Sequence, residues 1–74
     1  DMRLARHLCG LFQDSGNMEI PVTHQELADR LGASRETISR LLEEFAKKGC
    51  LELHRGRIRL RSIHALIALA DSIQ

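Results

Sequence analysis

Four polar side chains recur at positions 36, 39, 40 and 43 of this 74-residue chain: Glu36, Ser39, Arg40 and Glu43. Their i, i+3, i+4, i+7 spacing is that of one stripe along a helix, and Arg35 stands beside the stripe at its start. An arginine fork matches the paired acceptors of a guanine edge, and a glutamate can accept from the amino group of cytosine. A serine hydroxyl can donate or accept. The set therefore suits a helix laid N-terminus first into the major groove of duplex DNA. The competing role is an ordinary solvated face with a Glu36–Arg40 ion pair, and such a pair contributes only about 0.3–0.5 kcal/mol.

A second group of residues suits phosphate. Thr23, His24 and Gln25 stand at the start of one expected helix, and Ser34 and Thr37 at the start of the next; free N–H groups at such ends attract anions. Plain capping is an equal alternative for Thr23 and Ser34. His54, Arg55 and Arg57 surround a Gly56 turn and could lay cations against a sugar-phosphate backbone. Arg59 and Arg61 follow on an alternating strand and could simply face solvent.

These groups need elements to carry them. Leu4, Leu8, Leu11 and Phe12 mark a helix over 2–13, ended by the turn formers Asp14-Ser15-Gly16-Asn17. Ile20-Pro21-Val22 fits an edge strand or an extended lead-in, because proline cannot donate to a central ladder. Thr23-x-x-Glu26 is a capping box opening a helix that stops at Gly32. Ser34 caps the next helix, over 34–48, whose buried stripe is Ile38, Leu41, Leu42 and Phe45. Lys47-Lys48 and Gly49 close it. The period then changes to two: Leu51 and Leu53, then Ile58 and Leu60, give a hairpin with one apolar face. Ser62 caps a last helix with Ile63, Leu66, Ile67, Ala70 and Ile73 inward.

The order is that of a winged helix-turn-helix: an α+β fold, mostly α, with a three-helix core, a C-terminal hairpin wing and a final short helix. Leu27, Leu31, Ile38 and Leu41 are expected to fill the space between the two motif helices, with Ala28 at their close approach and Gly32 in the turn.

Length and charge are consistent with this. Seventy-four residues allow one domain, 1–74, and a chain this short buries only about 60% of its unfolded surface. The net charge is +1, but residues 34–61 hold eight Arg/Lys against four acids, while residues 1–33 hold three against five. The basic segment is the one expected to meet a polyanion. No apolar run reaches the roughly 18 residues of a membrane span, and Asp1-Met2-Arg3 has no signal-peptide pattern. A helical pattern that starts at once, with Met2 not first, reads as a piece of a longer protein.

Other chemistries find little support. His7-x-Cys9 and Cys50-x-x-x-His54 lack metal-ligand spacing, so no metal is expected and both cysteines read as small buried hydrophobes in a reducing compartment. There is no glycine-rich phosphate loop, no nucleophile elbow and no acid pair, since Glu43 and Glu44 point apart on a helix; an enzyme is not expected. The remaining competitor is a winged helix that binds proteins and not DNA.

The stretch Val22-Thr23-His24-Gln25-Glu26-Leu27-Ala28, followed by Leu31-Gly32-Ala33-Ser34-Arg35-Glu36-Thr37-Ile38-Ser39-Arg40-Leu41-Leu42, resembles the C-terminal DNA-binding domain of the Crp/Fnr family of bacterial transcription regulators. Gly49-Cys50-Leu51 also fits, and the resemblance covers essentially the whole chain. It implies a cytoplasmic, homodimeric regulator that binds a palindrome and acts on RNA polymerase. The family's base-reading positions fall on Arg35, Glu36 and Arg40, and Ser39 holds a position used by the Fnr branch. TGTGA-like and TTGAT-like half-sites are both compatible, with a shared TGA. The family's N-terminal sensor barrel and dimerisation helix have no counterpart here. No cofactor is implied for this segment, and the effector is unknown.

Overall fold

The computed structural model describes residues 2–71. Its elements run α1 (Met2–Ser15), β1 (Glu19–Ile20), α2 (His24–Leu31), α3 (Arg35–Lys47), β2 (Leu51–His54), β3 (Arg57–Leu60) and α4 (Ile63–Ala70). The expected order holds throughout. Ile73, expected on the inner face of the last helix, lies outside the described residues.

The first helix is longer than its turn formers suggest. It takes in Asp14 and Ser15, because the Ser15 hydroxyl donates to the Phe12 carbonyl at 3.2 Å and so satisfies a group in the last turn. Gly16, with φ of 70°, is the actual stop, and its N–H also reaches the Phe12 carbonyl.

Both motif helices are capped as their sequence demands. Thr23 Oγ1 accepts from the Glu26 N–H at 3.0 Å, and the Thr23 N–H donates to Glu26 Oε1 at 2.7 Å. Hydrogen bonding to its carboxylate, first from the Thr23 backbone N–H and then from the Thr23 hydroxyl, holds the Glu26 carboxyl below its usual range. Ser34 Oγ accepts from the Thr37 N–H at 3.1 Å and opens α3. Between the helices Gly32 sits at φ 68°, in the left-handed region, and sends its N–H to the Ala28 carbonyl.

The hairpin is not a free ribbon. Strand β1 pairs antiparallel with β3, placing Glu19 opposite Arg59 and Ile20 opposite Ile58, so the sheet has the order β1-β3-β2. Pro21 falls just outside the strand, as an edge position requires. Ile20, Leu51, Ile58 and Leu60 put the apolar face of this sheet against the helices.

The core joins all the elements. Leu4, Leu8 and Phe12 of α1, Leu27 and Ala28 of α2, and Ile38, Leu42 and Phe45 of α3 are buried together with Leu66 and Ala70 of α4. Leu11, Leu31, Leu41, Leu53, Ile63 and Ile67 are only half-buried around its rim. Leu31 and Leu41 therefore border the gap between the motif helices, which Leu27 and Ile38 fill. No polar side chain is buried among the described residues. Cys9 and Cys50 are buried free thiols, and burial pushes both up, keeping them protonated.

Two arginines of α1 complete the ends of other helices. Arg3 Nη2 donates to the Leu31 carbonyl at 2.9 Å, and Arg6 Nε to the Ala70 carbonyl at 3.0 Å. Each places a cation at a helix C-terminus, where the carbonyls lack partners. The docking of α4 on α1 thus combines apolar burial with a cap.

Glycine has opposite consequences at two sites. Gly10 lies inside α1 with open space where a Cβ would stand, so Gly10→Ala should stabilise the fold by about 0.5–1 kcal/mol. Gly32 also has open space but a left-handed backbone, so Gly32→Ala should destabilise by about 1–2 kcal/mol. Urea denaturation of the two variants checks both signs. The capping box adds a pH dependence. Because the Glu26 carboxyl is depressed in the fold, its contribution is complete above the ordinary value of 4.5 and is lost as pH falls through the lower folded value. Acid titration of stability should show this loss in the native protein and less of it in Glu26→Gln.

Candidate nucleic-acid interface

Burying Ile38, Leu42 and Phe45 turns the opposite side of α3 outward. There Arg35, Glu36, Ser39, Arg40 and Glu43 line one shallow groove. The four base-reading candidates are thus brought onto a single surface. All are exposed except Ser39, which is half-buried. Among the described residues Glu36 and Arg40 form no ion pair, so the solvated-face alternative lacks that pair and both side chains are available to a partner.

A second groove adjoins the first. The cap Thr23 with His24 and Gln25 of α2 forms one wall, Arg35 and Glu43 of α3 form another, and Leu53 to Gly56 of the hairpin form the third. The start of α2, the start of α3 and the wing tip are far apart in sequence and meet here around one concavity. Gly56 takes the left-handed backbone at φ 75°, so Arg55 sits at the outermost point of the turn without strain.

The hydrogen bonds differentiate the phosphate candidates. Ser34 is occupied as a cap: its oxygen accepts from the Thr37 N–H, and its hydroxyl donates to Thr37 Oγ1 at 2.9 Å. Thr37 keeps its own hydroxyl proton free to donate. Gln25 Nε2 donates to Asp29 Oδ1 at 2.9 Å, one turn along α2. His54 Nε2 lies 3.3 Å from Glu52 Oε1. Like Ser34 and Thr37, Arg57 does not line this groove. Its Nε donates to Glu19 Oε2 across the sheet, an exposed pair of the kind that contributes at most about 1 kcal/mol and can be exchanged for a phosphate. On the same outer face Arg61 approaches Glu52 at 3.8 Å, and Arg59 is exposed.

One contact joins the two candidate groups directly. His24 Nδ1 lies 2.8 Å from Ser39 Oγ, linking the start of α2 to the outer stripe of α3. The residues are 15 apart in the chain, and no local pattern announces the bond. Glu43 is also more central than its spacing suggests, since like Arg35 it borders both grooves.

Both grooves are open to solvent and lined by cations and hydrogen-bonding groups. Among the described residues no helix is long and apolar enough to cross a membrane.

Comparison with known proteins places this geometry. A family profile for the Crp-like helix-turn-helix domain matches residues 2–69. The CRP-like cAMP-activated global transcriptional regulator of Mycobacterium tuberculosis is 40% identical over 78 aligned positions, covering 96% of this chain and 32% of that protein. The transcriptional regulator SdrP of Thermus thermophilus is 33% identical over 60 positions, covering 81% of this chain and 30% of that protein. The chain thus spans about a third of the length of these relatives. Among solved structures, a transcriptional regulator of the Crp/Fnr family from Eubacterium rectale superposes with a TM-score of 0.90 at 34% identity, over 96% of this chain and 33% of that one. The catabolite activator protein of Thermus thermophilus gives 0.85 at 33% identity, over 93% of this chain and 32% of that one. A three-helix core with a three-stranded sheet, an outward polar stripe on its second motif helix and these matches have one meaning: the chain belongs to the Crp-like helix-turn-helix family of transcription-regulator domains.

Proposed function

We propose that this chain is the DNA-reading domain of a Crp/Fnr-type transcription regulator, with α3 in the major groove and the wing on the phosphate backbone. The observation that carries the reading is the single surface formed by Arg35, Glu36, Ser39 and Arg40, adjoined by the groove that gathers His24, Gln25 and Arg55. Arg35 and Arg40 would face guanine acceptors and Glu36 a cytosine amino group, with Ser39 beside them. Thr23, His24, Gln25, Thr37, His54 and Arg55 would meet phosphates flanking the half-site. Ser34 would contribute as a cap, and Arg57 only on release from Glu19.

The half-site is proposed to contain TGA, in a TGTGA-like or TTGAT-like context. Since the chain matches about a third of its relatives' length, the remaining functions are proposed for the larger protein: a sensor that binds the effector, a helix that makes a homodimer, and contact with RNA polymerase. The DNA-reading domain itself would take no cofactor. A protein-only role predicts a broad exposed apolar patch, and among the described residues Met18 is the single large hydrophobic that is well exposed.

Selection of binding sites from random duplex is the direct test. Enrichment of a common TGA core supports the reading; enrichment of none overturns the half-site, and duplex affinity that ignores salt overturns DNA binding itself. Arg40→Ala should cost about 1–3 kcal/mol on the selected site and much less on random duplex. Arg55→Ala should weaken both to a similar degree and lower the salt slope by about 1. Equilibrium binding at several salt concentrations measures both, and equal losses for Arg40→Ala on the two duplexes would move Arg40 to a phosphate role.

A further inference from the structure

We infer that His24 is a positioning residue whose protonation state sets the hydrogen-bonding polarity of Ser39, and with it how Ser39 reads a base, while its own contact with the backbone is kept. The inference rests on the DNA-reading role proposed above.

The geometry is specific. His24 Nδ1 and Ser39 Oγ are 2.8 Å apart, and both residues are half-buried. His24 stands at the start of α2 and lines the groove with the wing, while Ser39 lines the groove of the base-reading stripe. His24 Nε2 has no hydrogen-bond partner among the described residues, so that nitrogen is the one available to a phosphate oxygen.

A neutral imidazole has one donor and one acceptor nitrogen, and the role of one determines the role of the other. A phosphate oxygen at Nε2 requires a proton there, because two acceptors cannot face each other. Nδ1 then carries a lone pair. Ser39 must donate its hydroxyl proton to it, and only lone pairs remain on Oγ for the major groove. In this state Ser39 reads bases that offer an amino group, adenine N6 or cytosine N4. When His24 is doubly protonated, Nδ1 donates to Oγ instead. The Ser39 proton is released toward the groove, and the serine reads acceptors: guanine O6 or N7, or thymine O4. Nε2 donates in both states, so the backbone contact persists while the base preference changes. Protons balance throughout: one proton is gained on Nδ1, and the hydroxyl only rotates.

The charged and titratable groups facing His24 across the groove are Arg35 and Glu43 of α3 and His54 and Arg55 of the hairpin. On its own helix Glu26 is committed to Thr23. His54 is the other imidazole lining that groove, so it serves as the control.

The test is a binding-site selection with the full-length protein, repeated at about pH 8 and about pH 5.5, the two sides of the ordinary histidine range. The position read by Ser39 is the one whose preference changes in Ser39→Ala. At that position the ratio of amino-bearing to acceptor-only bases should fall by about threefold or more between the higher and lower pH, the worth of one hydrogen bond. The shift should vanish in His24→Asn, whose amide can hold Ser39 but does not titrate, and in Ser39→Ala. It should persist in His54→Gln. His24→Ala should flatten the preference at that position while leaving the rest of the selected site intact. A preference unchanged in His24→Ala, or a shift that survives His24→Asn, overturns the coupling while DNA binding stands. A wild-type protein that binds duplex without salt dependence overturns the DNA-reading role and the coupling with it.

Discussion

Helix α3 has two faces, and only one of them can be buried. Ile38, Leu42 and Phe45 recur at helical spacing and are nearly inaccessible, so the rotation of the helix about its axis is set by their burial in the core shared with Leu27 and Ala28. Everything proposed for the outer surface depends on that rotation. A turn of 100° about the axis would take Arg40 from the groove and put a leucine in its place. The same burial keeps Ala28 against α3, where a larger side chain would spread the motif helices apart.

The rest of the molecule holds this arrangement in place. Gly32 lets the chain reverse within a few residues, and the Thr23 and Ser34 caps start each helix at a defined residue. Arg3 and Arg6 reach from α1 to the last carbonyls of α2 and α4, so the first helix braces both. Strand β1 ties the wing to the segment entering α2, which fixes the wing tip beside the start of that helix. A free two-stranded ribbon would be marginal in water, and the third strand gives it a stable base. On the outer face of this sheet Arg57 and Arg61 are engaged by Glu19 and Glu52, whereas Arg59 and, at the tip, Arg55 have no carboxylate partner among the described ion pairs.

Local signals were readable because they depend on neighbours in the chain. The Thr23-x-x-Glu26 box, the Gly32 stop, the Ser34 and Ser62 caps and the switch from period 3.6 to period 2 all correspond to observed features. The end of α1 was less legible, because Ser15 can break a helix or satisfy one of its carbonyls, and the structure uses the second option. The polar stripe at 36, 39, 40 and 43 was legible as a face, since periodicity alone places those residues together. Their partners were not. Glu36 and Arg40 are spaced for an ion pair yet remain apart, and Arg57, at the wing, turns to Glu19 thirty-eight residues away.

The elements, their ends apart from that of α1, and the side of α3 that faces outward were set by the sequence. Each of these follows from short-range geometry and the cost of exposing apolar surface. Tertiary structure alone decided the addition of β1 to the wing, the gathering of the α2 start, α3 and the wing tip around one groove, and the bond between His24 and Ser39. The physical reason is distance. A hydrogen bond between residues 15 positions apart, or a strand pair joining residues 19 and 59, exists only after the core has brought their elements together. No spacing within either element encodes it.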